Sequence, residues 1–278
     1  MKTALLRARF PLRGEAVRLG ARAYDYAVGV RARLRGGDDP ERGPDGLPLP
    51  PASLRARVSA PGDAGFFLEA GRSQADFVRE LVARNGSRME DMGAILDFGC
   101  GCGRLARWWS GLGGPAIHGC DTKPDLVEWC SRNLPFMSAR VNGLEPPLPY
   151  ETEHFDLIYA LSVFTHMSEE LQDRWLNELD RVLRPGGLLF FTVAGDAYTG
   201  KLEPADRARY ETGELVAHFT EADGSNLCAA YHPRPYVEAH MLERLELLEA
   251  VPGGGGNGSA PPVSRQDIYL ARKPARPG

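Results

Sequence analysis

Three glycines alternate at Gly99, Gly101 and Gly103, directly after an apolar run that ends in Asp97 and Phe98. A hydrophobic strand feeding a glycine-rich turn that opens a helix makes a cradle for a nucleotide cofactor. Glycine lets the backbone approach a ligand and adopt positive φ without a Cβ clash. Asp97 adds a charge to that cradle. A pyrophosphate gains nothing from a carboxylate there, whereas a cationic cofactor does. A second acid, Asp121, closes the short apolar run 117–121 about one helix and one strand later, where a carboxylate can accept both hydroxyls of a ribose. Gly101, Gly103 and Ala106 also satisfy the G-x-G-x-x-G/A spacing of dinucleotide-binding enzymes. The loop by itself therefore leaves two cofactor classes open.

The surrounding pattern supplies the elements that must position these groups. Ser73 and Asp76 form a capping signal for a helix that Gly86 stops. Residues 104–110 read as the first helix after the glycine loop, its free N–H groups facing the ligand. The run 155–161 is nearly all apolar, as a parallel strand buried on both faces should be. The segment 168–183 carries Leu171, Trp175, Leu179 and Val182 on one stripe, with Glu169 and Glu170 at its positive end. Arg184-Pro185-Gly186-Gly187 then leads into a strand at 188–193. A helix over 236–245 and strands at 246–250 and 268–272 complete the pattern. The glycine-rich loop 253–259 joins those last strands and is expected to be poorly ordered.

Four segments in this order resemble the class I, seven-stranded S-adenosylmethionine-dependent methyltransferases: ILDFGCGCGR at 95–104, IHGCD at 117–121, the strand and helix within 155–183, and LRPGGLLFFTV at 183–193. The resemblance runs from about residue 73 to 272. It implies a doubly wound α/β fold, mostly parallel, with strand order 3-2-1-4-5-7-6, the last strand antiparallel, helices on both faces and an N-terminal helical extension. Carried over position by position, it places Asp97, Phe98, Gly99, Cys100, Gly101 and Gly103 under the methionine and ribose. It places Asp121 and Thr122 at the ribose, Asn142, Gly143 and Leu144 beside the adenine, and Leu161 and Ser162 on the methionine side. Many members have an acid where this chain has Asn142, whose amide can still bond the adenine amino group. Arg72, in a segment that members often close over the cofactor, can pair with the methionine carboxylate or stand as an ordinary surface arginine.

Methyl transfer needs chiefly an acceptor held in near-attack geometry. A hydroxyl acceptor gains from a base, and histidine suits neutral pH. His166 lies just past the fourth strand, where it is a base or a residue that orients the 162–167 turn. Tyr231 and His232 are the chemically capable members of the stretch 224–233, at the end of the segment 195–231 that reads as a substrate lid. Only Asp196 is placed for a metal, so no metal site is expected. The domain reading is an N-terminal arm, linker and cap over 1–72, followed by the cofactor domain at 73–278. The functional reading is methyl transfer to a small-molecule acceptor, with a hydroxyl oxygen favoured, in bacterial specialised or envelope metabolism. An NAD(P)-dependent oxidoreductase and an inactive methyltransferase-like binding module stay open as alternatives.

A length of 278 residues with 43% hydrophobic content suffices for one α/β domain with additions. A net charge of −4 argues against a nucleic-acid partner. Five cysteines form no paired framework and fit a reducing cytoplasm. No apolar run approaches a membrane span. The first 36 residues differ from the rest, with nine lysines and arginines against Glu15 and Asp25. Val17, Ala21, Tyr24 and Val28 recur there at helical spacing, predicting an amphipathic helix over 15–34. That helix is either a peripheral membrane or partner contact, or a cap packed on the domain with solvated arginines. Residues 36–51, rich in Gly, Pro and Asp, read as a linker or irregular loop.

Overall fold

A computed structural model of the chain describes residues 14–35, 41–59, 62–254 and 265–276. Its centre is a seven-stranded sheet built from β1 (Ala94–Phe98), β2 (Ala116–Asp121), β3 (Met137–Val141), β4 (Phe155–Ala160), β5 (Leu183–Val193), β8 (Glu246–Val251) and β9 (Asp267–Arg272). The spatial order is β3-β2-β1-β4-β5-β9-β8. The first five strands run parallel, and β9 pairs antiparallel with both β5 and β8. This is the path expected from the sequence. The shift in strand numbers comes from one extra antiparallel pair, β6 (Val216–His218) with β7 (Ala229–Tyr231), inserted before the terminal hairpin.

Alternate residues of the strands feed two apolar layers, as the period of two requires. Leu96, Ile158 and Phe191 pack on one face with Trp175 and Leu179 of α5 (Glu169–Val182). Ile95, Leu157, Tyr159 and Phe190 pack on the other with Phe77, Val78 and Leu81 of α3 (Ala64–Arg84). Ser168 caps α5, its Oγ accepting from the Leu171 N–H. Between β2 and β3 lies α4 (Pro124–Asn133), and α6 (Pro204–Glu211) lies between β5 and β6.

Several boundaries differ from the sequence reading. The helix α3 starts at Ala64, not Ser73, because Asp63 caps it through the Phe66 N–H at 2.7 Å. Gly71 then falls inside the helix, where a Cβ would stand 2.3 Å from the Arg104 carbonyl oxygen. Its absent side chain lets the helix seat against the glycine-loop turn, so it does not mark a break. The helix read over 104–110 is only a 3-10 turn, Ala106–Trp109, cut short by Gly111, Gly113 and Gly114. The final helix is a single α-turn at Arg234–Tyr236 that runs into a π-helical turn at Val237–Met241. Strand β5 begins five residues early and includes the glycine turn, where the Gly186 N–H donates to the Lys273 carbonyl at 2.8 Å. Residues 255–264, most of the loop read as poorly ordered, lie outside the described residues.

The N-terminal region forms two helices, α1 (Gly14–Arg35) and α2 (Ala52–Val58). The described part of the stretch read as a linker, 41–51, is an irregular loop packed on the domain. Asp45 accepts two hydrogen bonds from the buried Arg107, at 2.5 and 2.8 Å. Arg55, also buried, holds the carbonyls of Pro50 and Gly62. Among the described residues no helix is long and apolar enough to cross a membrane.

Candidate active site

A cavity of about 480 Å³ opens at the carboxyl ends of β1, β2 and β4, where open α/β sheets place their ligand crevice. Its floor is the glycine loop. Gly99, Gly101 and Gly103 all have positive φ, at 80°, 54° and 75°. The N–H groups of Gly99 and Cys100 both donate to the Cys120 carbonyl at 2.9 Å, which ties the loop to β2. Each glycine is closely covered: a Cβ on Gly99 would lie 2.5 Å from Val163, one on Gly101 2.5 Å from Val58, and one on Gly103 2.3 Å from Leu134.

The two acids of the motif both line this cavity. Burial pushes the Asp97 carboxyl up to about 7, against a hydrogen bond from Tyr159 and the positive charge of Arg104. Tyr159 in turn accepts from the Trp109 indole N–H at 3.0 Å, so a buried relay aims Asp97. Asp121 accepts from the backbone N–H groups of Gly101 and Lys123, each at 2.9 Å. Burial raises its carboxyl from the ordinary value, and these two bonds oppose the rise. Asp121 therefore braces the loop as well as facing the cavity. Asn142 is buried beside it. Its Nδ2 donates to the Gly143 carbonyl at 2.7 Å, while its Oδ1 is buried with no hydrogen-bond partner. A buried acceptor without a donor is costly. Here it lines the cavity, ready for a ligand N–H.

The exit of β4 forms a second wall. Ser162 has φ 59°, an uncommon conformation for a residue with a Cβ, and a network holds it there. Its N–H donates to Thr192 Oγ1 at 2.8 Å, Gln266 Nε2 donates to its Oγ at 2.8 Å, and Thr192 donates to Gln266 at 2.6 Å. Four residues on, His166 Nδ1 lies 2.8 Å from the Cys228 carbonyl oxygen. A carbonyl only accepts, so Nδ1 carries the proton. In the neutral ring Nε2 is then the basic nitrogen. The segment between β6 and β7 closes over this turn: Asp223 accepts from Ser168 N and Oγ, and the Gly224 N–H donates to the His166 carbonyl at 2.8 Å. Gly224, Ser225 and Asn226 reach the cavity.

Of the residues singled out in the sequence, Asp97, Phe98, Gly99, Cys100, Gly101, Asp121, Thr122, Asn142, Leu144, Leu161, Ser162 and His166 line this one cavity. Gly103 lies behind it against Leu134 and Cys130, and Gly143 is exposed next to Asn142. Arg72 stands elsewhere. It projects from α3 over the Trp108 ring, 67% exposed and 3.8 Å from Asp76. His232 and Tyr231 are also outside the lining. His232 is wholly buried, bonded through Nε2 to Gln172 at 3.0 Å, and burial lowers its pKa to about 3. Gln172 donates to the Phe164 and Met167 carbonyls, so His232 buttresses the turn that carries His166. Tyr231 pairs with Val216 in the small sheet, its ring against His218. The sequence reading missed Arg57, Val58 and Ser59 at the end of α2, and Tyr24 and Val28 of α1, all on the lining. The periodic face of α1 was legible, but not the element it covers.

Comparison with known proteins fits this geometry. A family model described as "Methyltransferase domain" matches residues 96–191, the span from the glycine loop through β5. Those residues form a methyltransferase domain, and the chain is similar there to the class I S-adenosylmethionine-dependent methyltransferases. It is 32% identical over 127 residues to methyltransferase GfsG of Streptomyces halstedii, covering 42% of each chain. It is 27% identical over 164 residues to the malonyl-[acyl-carrier protein] O-methyltransferase of Enterobacter lignolyticus, covering 58% of this chain and 62% of that one. The chain thus spans about half the length of these relatives. An S-adenosylmethionine-dependent methyltransferase structure from Mesorhizobium loti superposes with a TM-score of 0.53 at 16% identity, over 72% of this chain and 98% of that one, a likeness of fold.

Proposed function

We propose that this protein transfers the methyl group of S-adenosylmethionine to a small-molecule acceptor, at a hydroxyl oxygen, in bacterial specialised or envelope metabolism. The observation that carries the cofactor reading is the convergence of Asp97, Asp121 and the unpartnered Oδ1 of Asn142 on one glycine-floored cavity. These groups fit the cofactor's three donor regions: a carboxylate for the cationic amino acid end, a carboxylate for the ribose hydroxyls, and an acceptor for the adenine amino group. When bound, S-adenosylmethionine supplies an electrophilic methyl group. The chain's part is then to orient the acceptor and take up its proton. His166 is the side chain we assign to that proton, through Nε2. The O-methyltransferase among the relatives supports oxygen as the receiving atom, and the uncharged residues Leu144, Met167 and Ser225 on the lining support an uncharged acceptor.

Calorimetric titration with S-adenosylhomocysteine, and with NAD and NADP in parallel, tests the reading. Micromolar binding of the homocysteine product alone is expected. Binding of NAD or NADP instead would overturn it. Asp121→Ala should weaken the product's binding by roughly 1–3 kcal/mol, the range for a lost charge-assisted pair of bonds. His166→Ala should leave that affinity intact while slowing turnover of any acceptor found.

The titration should also depend on pH through Asp97. Its carboxyl is raised to about 7 by burial, so below neutrality it is protonated and offers no charge to the ligand's ammonium group. Affinity should therefore rise with pH up to about 7 and level off above it, by at most about tenfold per pH unit. In Asp97→Asn that slope should vanish. A flat wild-type profile between pH 5.5 and 8 would remove Asp97 from the role.

A further inference from the structure

The helix α1 has two apolar faces, and the domain uses only one of them. On the inner side Ala21 and Ala32 are buried, and Val28 lines the cavity. The helix packs there on α2 and on the turn Thr220–Ala222. Gly29 permits the crossing, since a Cβ there would sit 3.3 Å from the Ser53 carbonyl oxygen. On the outer side Leu19, Ala23, Tyr26 and Val30 follow at spacings of four, three and four, which puts them on one face. Leu19 is 61% exposed, Tyr26 76% and Val30 39%. These are three of the seven large apolar side chains most exposed among the described residues.

We infer that this outer face of α1 docks on an anionic lipid surface. The charge favours it, for the first 36 residues hold nine lysines and arginines against two acids, in a chain whose net charge is −4. A helix whose sequence joins arginines to an apolar stripe bearing tyrosine has the composition of one that lies in a membrane interface. The size of the stripe points the same way. From residue 19 to 30 it is about 16 Å long and one helix wide, well short of the roughly 800 Å² per partner that a stable protein interface needs. Shallow insertion into headgroups makes no such demand. The inner face of the same helix walls the cavity, so docking would hold the cavity about one helix diameter, roughly 10 Å, from the lipid. The docking does not rest on the methyl-transfer reading.

Co-sedimentation of the full chain with vesicles decides it. The expected result is binding to phosphatidylcholine vesicles containing phosphatidylglycerol, at least tenfold weaker on phosphatidylcholine alone and released by 0.5 M salt. The double variant Leu19→Glu/Tyr26→Glu changes two exposed side chains that do not line the cavity, and should lose at least tenfold in vesicle binding while keeping its thermal transition. Wild-type protein that is folded yet ignores anionic vesicles would overturn the inference, as would a double variant that binds them undiminished. A concentration-dependent dimer abolished by the double variant, without vesicle binding, would also overturn it by assigning the face to a second copy. Titration of the same samples with S-adenosylhomocysteine separates the two readings: vesicle binding without product binding would leave the docking standing and sink the proposed activity.

Discussion

Gly101→Val should abolish measurable binding of S-adenosylhomocysteine, a loss of at least about a hundredfold, while the protein stays folded. Two costs act at this position. Its φ of 54° lies in the left-handed region, which is a genuine outlier for a β-branched residue. A Cβ would also stand 2.5 Å from Val58 Cγ1, so the end of α2 must move. Both disturbances fall on a residue whose N–H anchors Asp121 and whose backbone forms the cavity floor. The loss is therefore of the site first and of stability second. Gly86→Val is the control. That glycine has φ 81° with nothing within 4 Å of its would-be Cβ, so it bears backbone strain without contact and stands far from the cavity. Binding at wild-type strength in Gly86→Val and none in Gly101→Val would place the effect in the loop. Equal loss in both would mean general destabilisation and would remove the loop from the argument.

Much of this site was legible because its chemistry is local in sequence. Gly99, Gly101 and Gly103 alternate in a turn whose geometry demands glycine, and Asp97 and Asp121 close apolar runs that can only be strands. Apolar runs separated by helical patterns marked the strands, and their order in the sheet was implied by the resemblance of four segments to a seven-stranded family. What the sequence hid depends on contacts between distant residues. Arg72 and His232 carry suitable chemistry, yet packing points the first into solvent over Trp108 and buries the second against Gln172. Nothing in the neighbourhood of either residue distinguishes those outcomes from a functional one. The reason for Gly71 inside α3, the approach of the Arg104 carbonyl, lies more than thirty residues away and leaves no local signal. The cavity wall made by Val58 and Ser59 ends a helix of seven residues, too short to show a period.

Asp45→Ala tests the least legible of these contacts and should be the most destabilising single change considered, costing about 3–5 kcal/mol. The stretch around it has the Gly, Pro and Asp content of a linker, but its partner, Arg107, is 62 residues away and only 1% exposed along its side chain. The pair is bidentate, with Nε and Nη2 both donating to the carboxylate, and Nη2 also reaches the Leu47 carbonyl at 3.2 Å. Removing Asp45 leaves the guanidinium buried with Leu47 as its remaining acceptor, above the Phe67 ring. An uncompensated buried charge is what makes such truncations costly. For a domain of this size the melting temperature should fall on the order of 10 °C. Asp45→Ala/Arg107→Leu should recover most of that loss, since a buried pair replaced by apolar groups is often neutral. Denaturant titration of the single and double variants checks both statements. A single variant within about 1 kcal/mol of wild type would show that the loop 41–51 is not held by this pair. The expected loss also bears on the site, because the Pro50 carbonyl held by Arg55 leads directly into α2. Loosening the loop loosens the wall that Val58 and Ser59 give the cavity, so the affinity for S-adenosylhomocysteine should fall together with stability and return in the double variant.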